Sequence, residues 1–400
     1  MQIDLNKHER FRYVLFTGLY LAEGLYQTML LLVTPLYLVE RNVPIPIITL
    51  VMGIGELPWS LKFVWGGLID FYHKYGRKKF TVYGTIIGAL GFLVLALIDQ
   101  YFSLVFFTLF LFIGHTGIGF LDAGADAWAI DVTTQDDRGK INASMNIGSS
   151  VSGSIGGPAL VIIGVTFGYN IAFIFTGVVI LSLAIIPLIV KYEKREIDKT
   201  DRIRIWPIIK KEFSQKQTRL VTIYFFLTVL NYAFISTLLV IFAKTVLLWE
   251  DTFIALTGII SLVTGVIPGS IIGGIMADKL GRKITLYIFL FLTFIFSIIP
   301  MFILNFEVHI VLFWVASISL FWSAMTSANW AMVMDIINPK IGAAQHEIMC
   351  SIANFGDMIF SASAGTFFIL LGYPNVFLIG VILVIPALIS LIPIKSEKIK

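Results

Sequence analysis

Cysteine is nearly absent. Cys350 stands alone in 400 residues, which excludes an intramolecular disulfide and any cysteine-based metal cluster. Its apolar neighbours point to a buried, inert thiol. Histidine is scarce too: there are five, none paired at ligand spacing, so neither a metal site nor a metal cofactor is expected. Charge is the third shortage. Asp, Glu, Lys and Arg together make up 14% of the chain, against about 25% in soluble domains. No basic tract interleaved with aromatics is present, which argues against nucleic acid as a partner. The chain has no H-E-x-x-H, no Walker loop and no Ser/His/Asp grouping at matching depths, so it reads as neither an enzyme nor a pump driven directly by ATP. No cofactor is expected. A channel filter, with its repeated loop or ring of charges, is also missing.

What is abundant is apolar surface. Hydrophobic residues reach 58%, where a soluble domain has roughly 45–50%. A globule of this length could not hide that excess, so lipid must solvate much of it. A helix needs about 20 apolar residues to cross the hydrocarbon core. Breaks at charge, Pro and Gly clusters leave twelve such segments, near 12–39, 46–70, 80–98, 103–131, 141–165, 170–190, 220–246, 253–277, 284–304, 309–337, 344–370 and 375–394. The runs are continuous rather than alternating, which predicts helices and not a barrel. The first run, from Phe11 to Val39, is far longer than the apolar core of a cleavable signal peptide, so none is expected. Twelve crossings put both termini on one side. The loops of that side hold 26 of the 29 Lys and Arg, which makes it the cytoplasmic side. Lys244, near the outer end of the seventh segment, is expected to snorkel.

The longest polar stretch, 191–219, carries ten basic residues. It divides the chain into a six-helix bundle over 1–190, a cytoplasmic linker, and a second bundle over 220–400. The halves echo one another. Gly66-Gly67-Leu68-Ile69-Asp70 leads to Gly76-Arg77-Lys78, and Gly274-Ile275-Met276-Ala277-Asp278 leads to Gly281-Arg282-Lys283, with an offset of 208 between the two Asp residues. A fainter echo joins Trp128 and Asp131 with Trp330 and Asp335. Parallel six-span repeats are a known transporter architecture.

The repeated G-x-x-x-D…G-R-K loop resembles the signature of the major facilitator superfamily. The first copy has three extra residues. Together with Leu57–Trp65, Asp122-x-x-x-Asp126-Ala127-Trp128 and Asp136-Asp137-Arg138-Gly139, it looks like the muropeptide permease and acetyl-CoA transporter branch. The resemblance implies two pseudo-symmetric six-helix bundles in the cytoplasmic membrane and, by the branch, proton-driven uptake or metabolite exchange. It also implies a gate on the cytoplasmic side in which Asp70 and Arg77 dock against the start of the eleventh segment. Gly76 and Lys78 lie in the same loop, Asp131 ends the fourth segment beside it as a further gating residue, and Asp278 and Arg282 play the corresponding part in the second half. A monomer is expected, with an uncoupled facilitator or exporter of the same fold as the alternative and a membrane receptor as a distant one.

Charges inside apolar segments each cost roughly 2.5–3.5 kcal/mol unless paired or wet, so they mark function by default. Glu23, Glu56, Lys62, Asp122, Asp126 and Asp357 are such charges. At about 1.5 Å per residue, Lys62, Asp122 and Asp126 fall in one layer, with Glu23 and Glu56 above it. Asp122 and Asp126 share a helical face. Two acids beside a lysine suit proton coupling, with Glu23, Asp122 or Asp126 as the carrier and Lys62 as counter-ion. Direct anion binding by Lys62 and a fixed salt bridge stay open. Tyr20 and Gln27 extend the polar face around Glu23. Asn231, Tyr232 and Asn329 lie at matching depths in the second half and are expected to line the same small-molecule cavity, with packing hydrogen bonds between helices as the alternative. Asp357 is either a second coupling site or a partner for a neighbouring helix. His115 reads better as a packed group than as a pathway lining. The acids with a single deep cation disfavour a highly anionic cargo.

Overall fold

The computed structural model describes residues 3–5, 8–72, 75–98, 102–133, 138–191, 205–338 and 341–395. Among the described residues, eleven helices are long and apolar enough to cross a membrane: α1 Glu9–Glu40, α2 Ile45–Ile69, α3 Arg77–Leu97, α4 Leu104–Val132, α5 Ala143–Phe167, α6 Tyr169–Ile189, α7 Lys216–Thr245, α8 Asp251–Leu280, α9 Arg282–Leu304, α10 Val308–Asp335 and α11 Ala344–Leu371. A shorter apolar helix, α12 Asn375–Ser390, completes the series. The eleven coincide with the first eleven segments read from the sequence, with ends shifted by a few residues, and the shorter helix falls on the twelfth. Among the described residues no strand forms. One parallel bridge, Ile3 with Val190, ties the chain start to the end of α6.

Large apolar side chains remain in the open. Val105 is 76% exposed and Leu370 73%. Surfaces of this kind need an apolar solvent, and lipid supplies it.

Two compact units divide the chain. One comprises Met1–Arg41 with Ile54–Asp201, the other Asn42–Gly53 with Arg202–Lys400. The opening stretch of α2 thus packs with the second unit. Its Thr49 hydroxyl donates to the Ala362 carbonyl at 3.2 Å and accepts the Gly365 N–H at 3.1 Å. A side chain on Gly53 would collide with Ala362.

Small residues set the contacts within the first unit. Without a hydrophobic drive between helices in lipid, close backbone approach and interhelical hydrogen bonds hold them together. Gly24 of α1 lies against Ser149 and Ser152 of α5, and Gly148 of α5 lies against the Thr17 carbonyl. Ser152 donates to the Leu21 carbonyl at 2.7 Å, and Thr17 to that of Ser144 at 3.0 Å. Gly84 of α3 meets Gly117 of α4 in the same way. In the second unit, Gly265, Gly269 and Gly273 of α8 form a stripe against Ser319, Leu320 and Ala324 of α10.

Three helices widen for one turn: Met29–Val33 in α1, Ser152–Gly156 in α5 and Leu262–Val266 in α8 are π-helical. Each turn ends two residues before a proline, namely Pro35, Pro158 and Pro268. Proline lacks an N–H and its ring crowds the carbonyl four residues back, and a wider turn relieves the crowding. In α2 the relief is a break. The helix pauses at Leu61, just after Pro58, and resumes at Lys62. The Trp65 indole N–H caps the Pro58 carbonyl at 2.8 Å.

Replacing Gly148 with Leu should force α1 and α5 apart. Overpacking of this kind costs about 1–3 kcal/mol, so thermal unfolding in detergent should shift down by several degrees. Gly274→Ala, at a position facing open space, should unfold at the wild-type temperature or above it. Equal behaviour of the two variants would contradict the packing account.

Candidate functional site

The loops between α2 and α3 and between α8 and α9 end on Gly76 and Gly281, with φ of 85° and 90°. Only glycine takes such a backbone cheaply, which explains the glycine of both G-R-K copies. The arginine that follows opens the next helix and turns onto an acid. Arg77 Nε lies 3.6 Å from Asp131 and Arg282 Nε 3.3 Å from Asp335. Arg282 also donates to Asp278 at 2.8 Å and to the Ala277 carbonyl at 2.8 Å. The lysine that comes next caps the end of another helix. Lys78 donates to the Leu188 and Val190 carbonyls at 3.0 and 2.5 Å, and Lys283 to those of Ile392 and Ile394 at 2.9 and 2.8 Å. Cations at helix C-termini satisfy orphan carbonyls and favour the dipole. The expected loop residues are thus tied to α4, α6, α10 and the end of α12 within their own units. The side chain of Asp70 lies outside the described residues. Side chains added at Gly66, Gly67 or Gly274 would meet no atom.

The interior charges converge in the first unit. Lys62 Nζ lies 2.5 Å from Asp122 Oδ2 and 3.6 Å from the centre of the Trp59 ring. One turn along α4, Asp126 accepts the Tyr20 hydroxyl at 2.5 Å. Glu23 is 7% exposed and sits within electrostatic reach of Lys62, Asp122 and Asp126. Glu23 Oε2 makes no hydrogen bond. Glu56 is buried as well. The expected layer of Glu23, Lys62, Asp122 and Asp126 is therefore assembled, with Tyr20 as its hydroxyl donor.

Behind it stands a stack that the sequence did not reveal. The His115 ring is fully buried and lies parallel to Tyr26, 4.9 Å between centres, and to Trp59, 5.4 Å away. Phe92 packs on Tyr26 at 4.6 Å. His115 Nδ1 bonds the Gly55 carbonyl and its Nε2 lies 3.2 Å from Gln27 Nε2. A carbonyl only accepts, so Nδ1 carries the proton and Nε2 accepts from the Gln27 amide. Gln27 thus holds the histidine in place. The spacing Trp59-x-x-Lys62 on one helix was the available hint for the tryptophan.

The second unit repeats this frame with fewer charges. The Tyr224 hydroxyl donates to Asn329 Oδ1 at 2.8 Å, as that of Tyr20 does to Asp126. Asn231 is buried and donates to the Gly380 carbonyl at 2.7 Å and to Ser297 at 3.3 Å, a bond between packed helices. Tyr232 is exposed and stacks on Trp322 at 4.2 Å. Asp357 accepts from Ser361 at 3.1 Å, and Ser361 accepts from Thr237 at 2.9 Å, so a relay of hydroxyls ties it to α7. Lys244 does not snorkel to the interface as expected. It pairs with buried Asp251 at the start of α8, because that carboxylate would otherwise be a buried charge without a counter-ion. Cys350 is buried, beside His346. No group of three or more metal-ligating side chains occurs among the described residues.

Removing one member of a buried ion pair leaves the other uncompensated, at a cost of about 3–5 kcal/mol. Lys62→Met should therefore lower the unfolding temperature strongly, and adding Asp122→Asn should recover most of the loss. A double variant no more stable than Lys62→Met would show that the pair is not coupled.

The comparisons with known proteins agree with this fold. A family model described as Major Facilitator Superfamily matches residues 16–346. Two crystal structures of a bacterial homolog to the human lysosomal transporter Spinster share the fold, each over 96% of both chains. The inward-facing, unoccupied form gives a TM-score of 0.70 at 13% identity, and the inward-facing, occupied form 0.74 at 14%.

Proposed function

Since the chain belongs to the major facilitator superfamily, we propose that it is a secondary active transporter carrying a small organic solute across the cytoplasmic membrane by alternating access, coupled to protons. The family makes it a membrane transporter. The coupling, the direction and the cargo are our reading, and one observation carries it: Glu23, Asp122, Asp126 and Lys62 meet inside helices that lipid surrounds. Maintaining four such groups costs stability, and a coupling role explains why the cost is borne. A carboxylate that alternates between a proton and Lys62 as its counter-ion links solute binding to a pH gradient.

Asp126 is our first choice as the carrier. It lies one turn from the Lys62–Asp122 pair and accepts the Tyr20 hydroxyl. The muropeptide or metabolite cargo of the branch that the sequence resembles remains part of the proposal, as does a monomeric carrier. For the loops, we propose that Asp70 and Arg77 close the cytoplasmic side in one state of the cycle. The open space at Gly66 and Gly67 supports this, since it leaves a smooth surface on which another helix can dock. A rocking carrier needs contacts that form in one state and break in the other.

A thermal-shift screen against a metabolite library identifies the solute, and uptake into proteoliposomes then tests the mechanism. Accumulation should follow an imposed pH gradient, and Asp126→Asn should abolish gradient-driven accumulation while leaving solute equilibration. Uptake indifferent to the gradient would leave an uncoupled facilitator. Asp70→Asn should reach the membrane and transport slowly; wild-type turnover would remove Asp70 from the gate.

A further inference from the structure

We infer that the corner formed by Trp59, Asp122 and Glu23 is a binding site for an organic ammonium group, and that Lys62 occupies it as a built-in competitor. The inference rests on the transporter reading and names its solute class. An ammonium seated on an aromatic face beside a carboxylate is how proteins recognise organic cations. Lys62 adopts that arrangement, 3.6 Å from the Trp59 ring centre and 2.5 Å from Asp122.

Three further observations point to an outside ligand. Acids outnumber cations here: Glu23, Asp122 and Asp126 gather around Lys62, and among the described residues of this unit no other Lys or Arg lies away from the helix ends. Glu23 is more than nine-tenths buried, lies within electrostatic reach of Lys62 and Asp122, and leaves Oε2 without a hydrogen bond. That oxygen is a second acceptor in the neighbourhood of the pair. Finally, the tryptophan is fixed by a stack of its own. Trp59 lies on His115, which lies on Tyr26 and is fastened by Gly55 and Gln27. Lys62 has a flexible stem, and its side chain keeps 13% of its surface exposed. A solute ammonium can take the Trp59 face and Asp122 while Lys62 swings onto Glu23 or Asp126. The solute's charge replaces that of Lys62 at Asp122, so the exchange does not strip Asp122 of its counter-ion.

Binding to purified full-length protein in lipid nanodiscs tests this. The probe is n-butylammonium, which copies the lysine side chain, with 1-butanol as its neutral counterpart. Lys62→Met should bind butylammonium at least about tenfold more tightly than wild type, the size expected of a desolvated cation–aromatic contact. Butylammonium should also restore much of the lost thermal stability. Butanol should do neither, and Trp59→Leu or Asp122→Asn in the Lys62→Met background should cancel the gain. Equal affinity in wild type and Lys62→Met, or equal effects of butanol and butylammonium, would overturn the proposal. If Lys62→Met does not fold, the wild type decides. Butylammonium should raise its unfolding temperature more than butanol does, and Trp59→Leu should remove that difference; a difference that survives Trp59→Leu would also overturn it. None of these readouts involves transport. Failure of pH-driven uptake alongside intact ammonium binding would count against proton coupling only.

Discussion

An ammonium and a carboxylate 2.5 Å apart, inside helices that lipid surrounds, are the contact on which the rest of the structure depends. Each charge alone would be expensive at that depth. Together they are tolerable, and they remain so only while the frame keeps them aligned. The frame does this with local devices. Pro58 breaks α2 just ahead of Lys62. Glycines and serines draw α1 against α5 and α3 against α4, which carries Tyr20 and Glu23 to the acids of α4. The aromatic stack from Phe92 through Tyr26 and His115 to Trp59 backs the lysine.

The two units share this frame but not its chemistry. Both open their third helix with an arginine turned onto an acid, followed by a lysine that caps carbonyls at the end of the sixth. Both hold a tyrosine of the first helix against a side-chain oxygen of the fourth. In the first unit that oxygen belongs to Asp126, and in the second to Asn329. The neutral residue needs no counter-ion, and the second unit has no lysine matching Lys62. The first half gathers its interior charges at this frame, while the second repeats the scaffold with a neutral pair there. The π turns ahead of Pro35, Pro158 and Pro268 add points where α1, α5 and α8 depart from a regular helix.

Much of this was legible in the sequence, for identifiable reasons. Apolar runs of membrane length exposed the spans, because the bilayer imposes a length. The G-R-K loops were legible because their glycine needs positive φ and their arginine an acid within reach. The acid and lysine layer followed from counting depth at a fixed rise per residue. The aromatic stack did not follow. Tyr26, Trp59 and His115 come from three helices, and which faces of those helices meet depends on tertiary packing, which periodicity does not encode. Asn231 looked like a lining residue from depth alone, but its amide bonds a neighbouring helix backbone. The pairing of Lys244 with Asp251 across the turn from α7 to α8 was likewise invisible, because snorkelling and pairing look the same in sequence.

The central claim is that the carboxylates around Lys62 exchange protons rather than serve as fixed struts. Infrared difference spectroscopy of the protein in lipid, with pH changed across the neutral range, reads this directly. We expect a protonated-carboxyl band that appears reversibly as pH falls and that Asp126→Asn, Asp122→Asn or Glu23→Gln removes. Carboxylates that stay ionised and spectroscopically silent throughout, with spectra unchanged in all three variants, would contradict it.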